Sequence, residues 1–381
     1  MSESGYPESD CIASVPHPRR ARQLVGHEGV QRAFMTAVHA QRVHHAWMLA
    51  GPNGIGKATL AWRIASYLLT SASDPNADPD RRDEAGPGSL LVPAPDVSTP
   101  VFSRILALSD PDLFLCRRTW DEKRQRMRPF ITVDEIRRLR SHYSQTSASA
   151  GWRVTIIDAI DDMNPSAANA LLKLLEEPPE KALFLLVCHQ PTLILPTIRS
   201  RCSKLSCHPL NAEQVGKVLA GLGCDPEDRH LVALAELSDG SPGTAVQLVD
   251  SQGVEIYGEI VRILSGAPTM DGALVDRLAD SCSGRNNEHR FDIILRLLSV
   301  ALARLARFSV LGEKYMTESV PGEKQMWSRL SNMPGMASRW AELAQELPPM
   351  GRVANTVNLD PASIILDMLS RINAAARHAP A

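Results

Sequence analysis

The run Gly51-Pro52-Asn53-Gly54-Ile55-Gly56-Lys57-Ala58-Thr59 constrains this chain more than any other stretch of it. A Gly-x4-Gly-Lys run between an apolar strand and a helix commits its neighbourhood to a phosphate-loop α/β fold. Gly51, Gly54 and Gly56 let the backbone curl until several N–H groups face one anion, and Lys57 reaches for the terminal phosphates. Where the motif calls for a magnesium-binding Ser or Thr, the chain has Ala58. The flanks support the assignment. Ala46 to Ala50 is a short apolar run suited to a buried parallel strand, and Leu60, Ile64, Ala65, Leu68 and Leu69 recur at helical spacing.

The chain has 381 residues, of which 44% are hydrophobic, enough for roughly two or three ordinary cores. Its net charge of −2 gives no global attraction to nucleic acid or an anionic membrane, so any DNA contact needs a local patch. The seven cysteines include no Cys-x-x-Cys pair, which argues for a reducing compartment rather than a disulfide framework. Cys202, Cys207 and His208 lie close in sequence but lack zinc-site spacing, and no zinc is expected. No run is long and apolar enough to span a membrane, and the first residues lack the pattern of a signal peptide, so a cytoplasmic protein is expected. Residues 1–20, polar and proline-punctuated, read as a disordered leader. Residues 71–100, rich in Pro, Asp, Gly and Ser, read as a flexible insertion within the nucleotide domain.

A second element begins at Arg153. Val154, Thr155, Ile156 and Ile157 lead into Asp158, a central strand whose C-terminal end presents a carboxylate where a phosphate-loop protein holds magnesium. An active hydrolase of the AAA+ type carries Glu at the next position, and here it is Ala159. Asp161 and Asp162 fall further on, at the start of a loop. The stretch from Asn164 to Pro179 then reads as a helix, with Pro165 suited to its first turn, an Ala/Leu run, and Pro178-Pro179 as its stop. Leu183 to His189 is another buried strand, followed by Leu195-Pro196-Thr197-Ile198-Arg199-Ser200-Arg201-Cys202.

The wording of these segments, Ala-Asn-Ala-Leu-Leu-Lys-Leu-Leu-Glu-Glu-Pro-Pro and then Ser-Arg-Cys, resembles the AAA+ clamp-loader family of bacterial DNA polymerase III. The match runs from about Leu24 to about Val249 and keeps the family's motif order. It resembles the delta-prime branch in particular: Ala58 replaces the metal hydroxyl, Ala159 the catalytic Glu, and Gly243 the sensor-2 Arg of the gamma/tau subunit. The family's four-cysteine zinc module is missing after the phosphate-loop helix, and the sensor-1 strand ends in Cys188-His189 rather than Thr.

The resemblance implies a phosphate-loop domain over 21–208, a helical lid over 209–250 and a helical collar over 251–381. Asn211 with Gln214 is a plausible helix cap at the start of the lid. Beyond Val254, runs such as 293–302 and 363–369 have only helical periodicity to offer. Trp327, Met333 and Trp340 are expected to be core residues more readily than interface anchors. The resemblance further implies that Arg201 is an arginine finger acting on a neighbouring subunit. The implied partners are gamma/tau and delta subunits, with the sliding clamp and primer-template DNA met through the complex. No cofactor is required. Gly51, Gly54, Gly56, Lys57, Thr59 and Asp158 would form a degenerate nucleotide site, able at most to hold ATP or ADP weakly. No intrinsic ATPase activity is expected of this subunit of the polymerase holoenzyme. The competing reading is an independent AAA+ ATPase in DNA processing, with Thr59 and Asp161 standing in for the missing groups, and a blander one is a nucleotide-free interaction domain.

Overall fold

The computed structural model describes residues 6–73, 90–145, 151–224, 228–282, 288–331, 335–357 and 360–377. The chain divides into two compact units, Met1–Leu222 with Ser241–Gly243, and Gly223–Gly240 with Thr244–Ala381.

The first unit is built on a five-stranded parallel sheet. Its strands are β1 (Ala46–Ala50), β2 (Leu113–Arg117), β5 (Arg153–Asp158), β6 (Ala182–Cys188) and β7 (Ser203–Ser206), in the order β2-β5-β6-β1-β7. A small antiparallel pair, β3 (Trp120–Asp121) and β4 (Arg126–Met127), stands apart from it. Helices cover both faces of a parallel sheet, so its central strands are buried throughout rather than alternating with polar residues. Every residue of β1, β5 and β6 is buried here. Alternate residues of β1 serve opposite cores. Trp47 and Leu49 join α1 (Glu28–His39), α2 (Lys57–Ser73) and α3 (Pro100–Leu106), whereas Ala46, Met48 and Ala50 join α4 (Val133–Ser144) and α5 (Pro165–Glu176).

The helix signals act as expected. Leu60, Ile64, Ala65, Leu68 and Leu69 of α2 are all buried. In α5, Pro165 takes the first turn and the Asn164 side chain accepts a hydrogen bond from the Ala167 amide at 2.8 Å. After the short α6 (Pro196–Arg199), Asn211 and Gln214 cap α7 (Ala212–Gly221) reciprocally, at 2.9 and 3.1 Å.

Three expectations need correction. Residues 6–20 are not a disordered leader, since His17 and Arg19 are buried and a 3-10 turn forms at Pro18–Arg20; residues 1–5 lie outside the described part. The ends of the 71–100 insertion are also ordered. Residues 71–73 complete α2, and Val92 is fully buried while its carbonyl accepts from Arg63 Nε at 2.7 Å; residues 74–89 lie outside the described part. Finally, 209–250 is not a body of its own. The helix α7 belongs to the first unit, while α8 (Asp228–Leu237) and all but the first residues of α9 (Pro242–Asp250) belong to the second.

The second unit is helical. Beyond α9 it comprises α10 (Gly253–Ser265), α11 (Gly272–Asp280), α12 (Glu288–Leu311), α13 (Glu323–Leu330), α14 (Met336–Val357) and α15 (Pro361–Arg377). Trp327 and Trp340 are wholly buried and therefore core residues, whereas Met333 lies outside the described part. The unit also buries charge. Arg304 (3% exposed) donates from Nε to the Oε1 of Glu323 (0% exposed) at 2.9 Å and lies 5.2 Å from the Trp327 ring centre, and the Tyr257 hydroxyl donates to the same Oε1.

Candidate nucleotide cleft and arginine finger

The phosphate loop leaves the C-terminal end of β1 and enters α2, between neighbours β6 and β7. Its glycines are there for geometric reasons. Gly54 and Gly56 have φ of 74° and 101°, and a β-carbon on Gly51 would lie 2.4 Å from the Cys207 carbonyl oxygen. The loop is held from behind by His27, whose Nε2 donates to the Ile55 carbonyl at 2.7 Å, and burial lowers the pKa of that imidazole.

Lys57 does not extend into the cleft. Its ammonium donates to the Gly51 carbonyl at 2.7 Å and to the Pro52 carbonyl, both in its own loop. Burial brings its pKa down to about 8, against the pull of nearby groups that include Asp158 and Asp161. Asp158 sits at the end of β5, 9% exposed, and burial pushes its carboxyl up to about 7. Asp158 thus stands at the strand end read from sequence, and burial there works against its ionisation. Thr59 lies half-buried in the first turn of α2, one residue beyond Ala58.

A magnesium nucleotide does not fit this residue set. The curled backbone cradle is present, yet Ala58 offers no metal ligand, Ala159 no base, and Lys57 is engaged with the loop itself. The residues that would answer for them are engaged too. Both oxygens of Asp161 accept backbone N–H groups, from His189 at 2.6 Å and from Gln190 at 2.8 Å, so this carboxylate braces the turn after β6. Segment 241–243 closes on the loop: the Ser241 hydroxyl donates to the Asn53 carbonyl at 2.8 Å and the Gly243 amide to the Gly54 carbonyl at 2.9 Å. A β-carbon on Gly243 would lie 3.0 Å from Gly54 Cα, so any larger residue there would press on the loop backbone.

Arg201 stands after α6, just ahead of β7. Its guanidinium pairs with Glu176 at the end of α5 at 2.9 Å and donates to the Thr197 carbonyl at 2.8 Å. The side chain is 36% exposed. A guanidinium has five N–H donors, so these two contacts leave others for a phosphate oxygen. Leu193, close by in sequence, is 71% exposed.

Of the residues named from sequence, the fold gathers Gly51, Gly54, Gly56, Lys57, Thr59 and Asp158 at one end of the sheet and holds Arg201 elsewhere with Glu176. Sequence reasoning missed His27, Ser241 and the bracing role of Asp161, because each acts on backbone 28 to 188 residues away.

A family model described as "DNA polymerase III, delta subunit" matches residues 26–211. The DNA polymerase III subunit delta' of Pseudomonas aeruginosa is 35% identical over 225 residues, covering 59% of this chain and 61% of that protein. The DNA polymerase III subunit tau of Bacillus subtilis is 26% identical over 296 residues, covering 76% of this chain and 48% of that one. The chain therefore spans less than two thirds of the length of either relative. Among solved structures, the gamma subunit-related protein of Thermotoga maritima covers 91% of this chain and is itself covered entirely, at 15% identity and a TM-score of 0.40, too loose a likeness to carry an argument. The order of motifs along the sheet and the matches in sequence agree: the chain is similar to DNA polymerase III subunits described as delta, over residues 26–211, and as delta' and tau.

Proposed function

We propose that the chain is a non-hydrolysing subunit of a clamp-loader ring. It fills one position beside gamma/tau and delta subunits in the cytoplasm and helps that ring place a sliding clamp on primer-template DNA. Its own cleft stays silent, and Arg201 acts in trans on the nucleotide of a neighbouring subunit. The observation that carries this reading is the state of one cleft: a phosphate loop with a complete glycine framework, whose lysine is tied to its own carbonyls and whose metal ligand and catalytic Glu are both alanine. A framework kept without its chemistry suits a part needed for shape. Arg201 fits the remaining task, because a guanidinium at a subunit surface can stabilise charge developing on a partner's transferred phosphoryl group.

Reconstitution tests this. Gamma/tau, delta, the clamp and primed DNA are combined with and without the chain, and clamp loading is measured. Loading that depends on the chain is the expected result, and loading at full rate without it would contradict the proposal.

A further inference from the structure

The segment taken from sequence for a loose leader lies against the cleft. Arg117 ends β2 directly opposite Asp158 in the sheet register. Its guanidinium donates to Asp10 and, at 2.9 Å, to Glu8. Arg19 reaches the same Glu8 oxygen at 3.3 Å, and His17 Nε2 lies 3.0 Å from Asp10. These groups are out of solvent, with the Asp10 side chain 1% and the His17 side chain 4% exposed. The His17 ring meets Trp62 of α2 edge-on, and the Ser9 hydroxyl donates to the Arg118 carbonyl at 3.1 Å. Between these anchors runs Ile12. A β-carbon on Gly243 would lie 3.3 Å from Ile12 Cδ1 and 3.0 Å from Gly54 Cα, so Ile12, Gly243 and the phosphate loop converge on one point.

Glu8, Asp10 and His17 are near enough to share a cation. Two guanidiniums already neutralise the carboxylates, however, and would repel one. The geometry instead fits exclusion. We propose that residues 8–17 are a built-in plug that holds the phosphate-loop cleft shut to nucleoside triphosphates, with Ile12 over the loop and Asp10 locked to Arg117 beside Asp158. A nucleotide's phosphates would meet the Asp10 carboxylate, the Ile12 side chain and the 241–243 segment in turn. Asp10 is also among the charges that help to raise the Asp158 carboxyl, after burial itself. The inference rests on reading this cleft as a retired nucleotide site, and it adds that the site is shut as well as chemically incomplete.

The test uses the full chain and a fluorescent N-methylanthraniloyl ATP, followed by anisotropy and, separately, by phosphate release. The wild type should show no saturable binding. Glu8→Ala with Asp10→Ala, which frees the anchor, should bind at least ~10-fold more tightly, and adding Lys57→Ala should remove the gain. Wild-type binding as tight as that of the folded double variant would overturn the plug, and so would a folded double variant that gains nothing. Should the double variant fail to fold, hydrogen exchange on the wild type decides. Peptides covering 8–17 should exchange slowly with or without millimolar ATP, and exchange at unprotected rates would overturn the proposal. Turnover of ATP by the wild type would contradict the ring-subunit reading instead, whereas binding without turnover in the double variant supports both.

Discussion

At Asp158, burial makes ionisation costly, and stability depends on pH accordingly. Its folded pKa of about 7 lies above the ordinary value near ~3.9. Its contribution to stability is therefore full below about pH 4 and lost as pH rises through 7. Lys57, lowered to about 8 by burial, behaves oppositely: its contribution is present above its ordinary value near ~10.4 and lost as pH falls through 8. Asp158→Asn should thus gain on the wild type as pH rises from 5 to 8, by up to ~3 kcal/mol, in paired urea unfolding curves. A gap that does not change with pH would place the ionisation elsewhere. Arg201→Ala probes a different property. Its half-exposed pair with Glu176 contributes about 0–1 kcal/mol to stability, so the variant should fold and assemble normally. An arginine finger acting alone contributes ~10³–10⁵ in rate, which the other sites of the proposed ring would dilute. DNA-stimulated hydrolysis by the reconstituted ring should fall with Arg201→Ala but not with Glu176→Ala. Equal rates for all three proteins would leave Arg201 without a role in trans. Gly51→Ala should cost about 1–3 kcal/mol by overpacking, read from chemical denaturation, since its β-carbon would collide with the Cys207 carbonyl.

Elements whose signals are local were legible in the sequence. The strand, loop and helix from Ala46 to Ser73 lie in unbroken succession, and α5 carries its cap, its first-turn proline and its stop within a few residues. The capping box of α7 is equally local. What could not be read is pairing across long separations. Residues 6–20 look solvated because they are polar and proline-punctuated, yet Asp10 finds Arg117 at a separation of 107 residues. The same holds in the second unit, where helical periodicity gave α10 to α15 as a class but no hint that α12 and α13 would bury Arg304 against Glu323. Glu323 accepts from Tyr257, from Arg304 and from the Ser319 amide, and burial, which would lower the Arg304 pKa, is outweighed by Glu323 together with Tyr257 and Glu236. Removing one partner of such a pair strands the other. Glu323→Ala should cost about 3–5 kcal/mol by thermal or urea unfolding, whereas Glu323 and Arg304 replaced together by Gln and Met should recover much of that loss. A cost below ~1 kcal/mol would mean that the pair behaves as a surface contact.

The whole molecule joins a parallel α/β unit that keeps a nucleotide framework to a helical unit with its own core and buried ion cluster. No helix among the described residues is long and apolar enough to cross a membrane. The domain plan read from sequence set the lid at 209–250, whereas α7 packs with one unit and α8 with the other. Sequence could identify which chemical groups the cleft lacks, since Ala58 and Ala159 are single letters at fixed offsets. It could not show that Lys57 folds back on its loop or that Asp161 is committed to backbone amides. Both facts bear on the central claim that the chain contributes a scaffold and a guanidinium but no hydrolysis of its own. ATP turnover by the purified chain, measured with magnesium and with and without primed DNA, tests that claim most directly. The expected result is a rate indistinguishable from a Lys57→Ala control under both conditions, and magnesium-dependent turnover abolished by Lys57→Ala would contradict it.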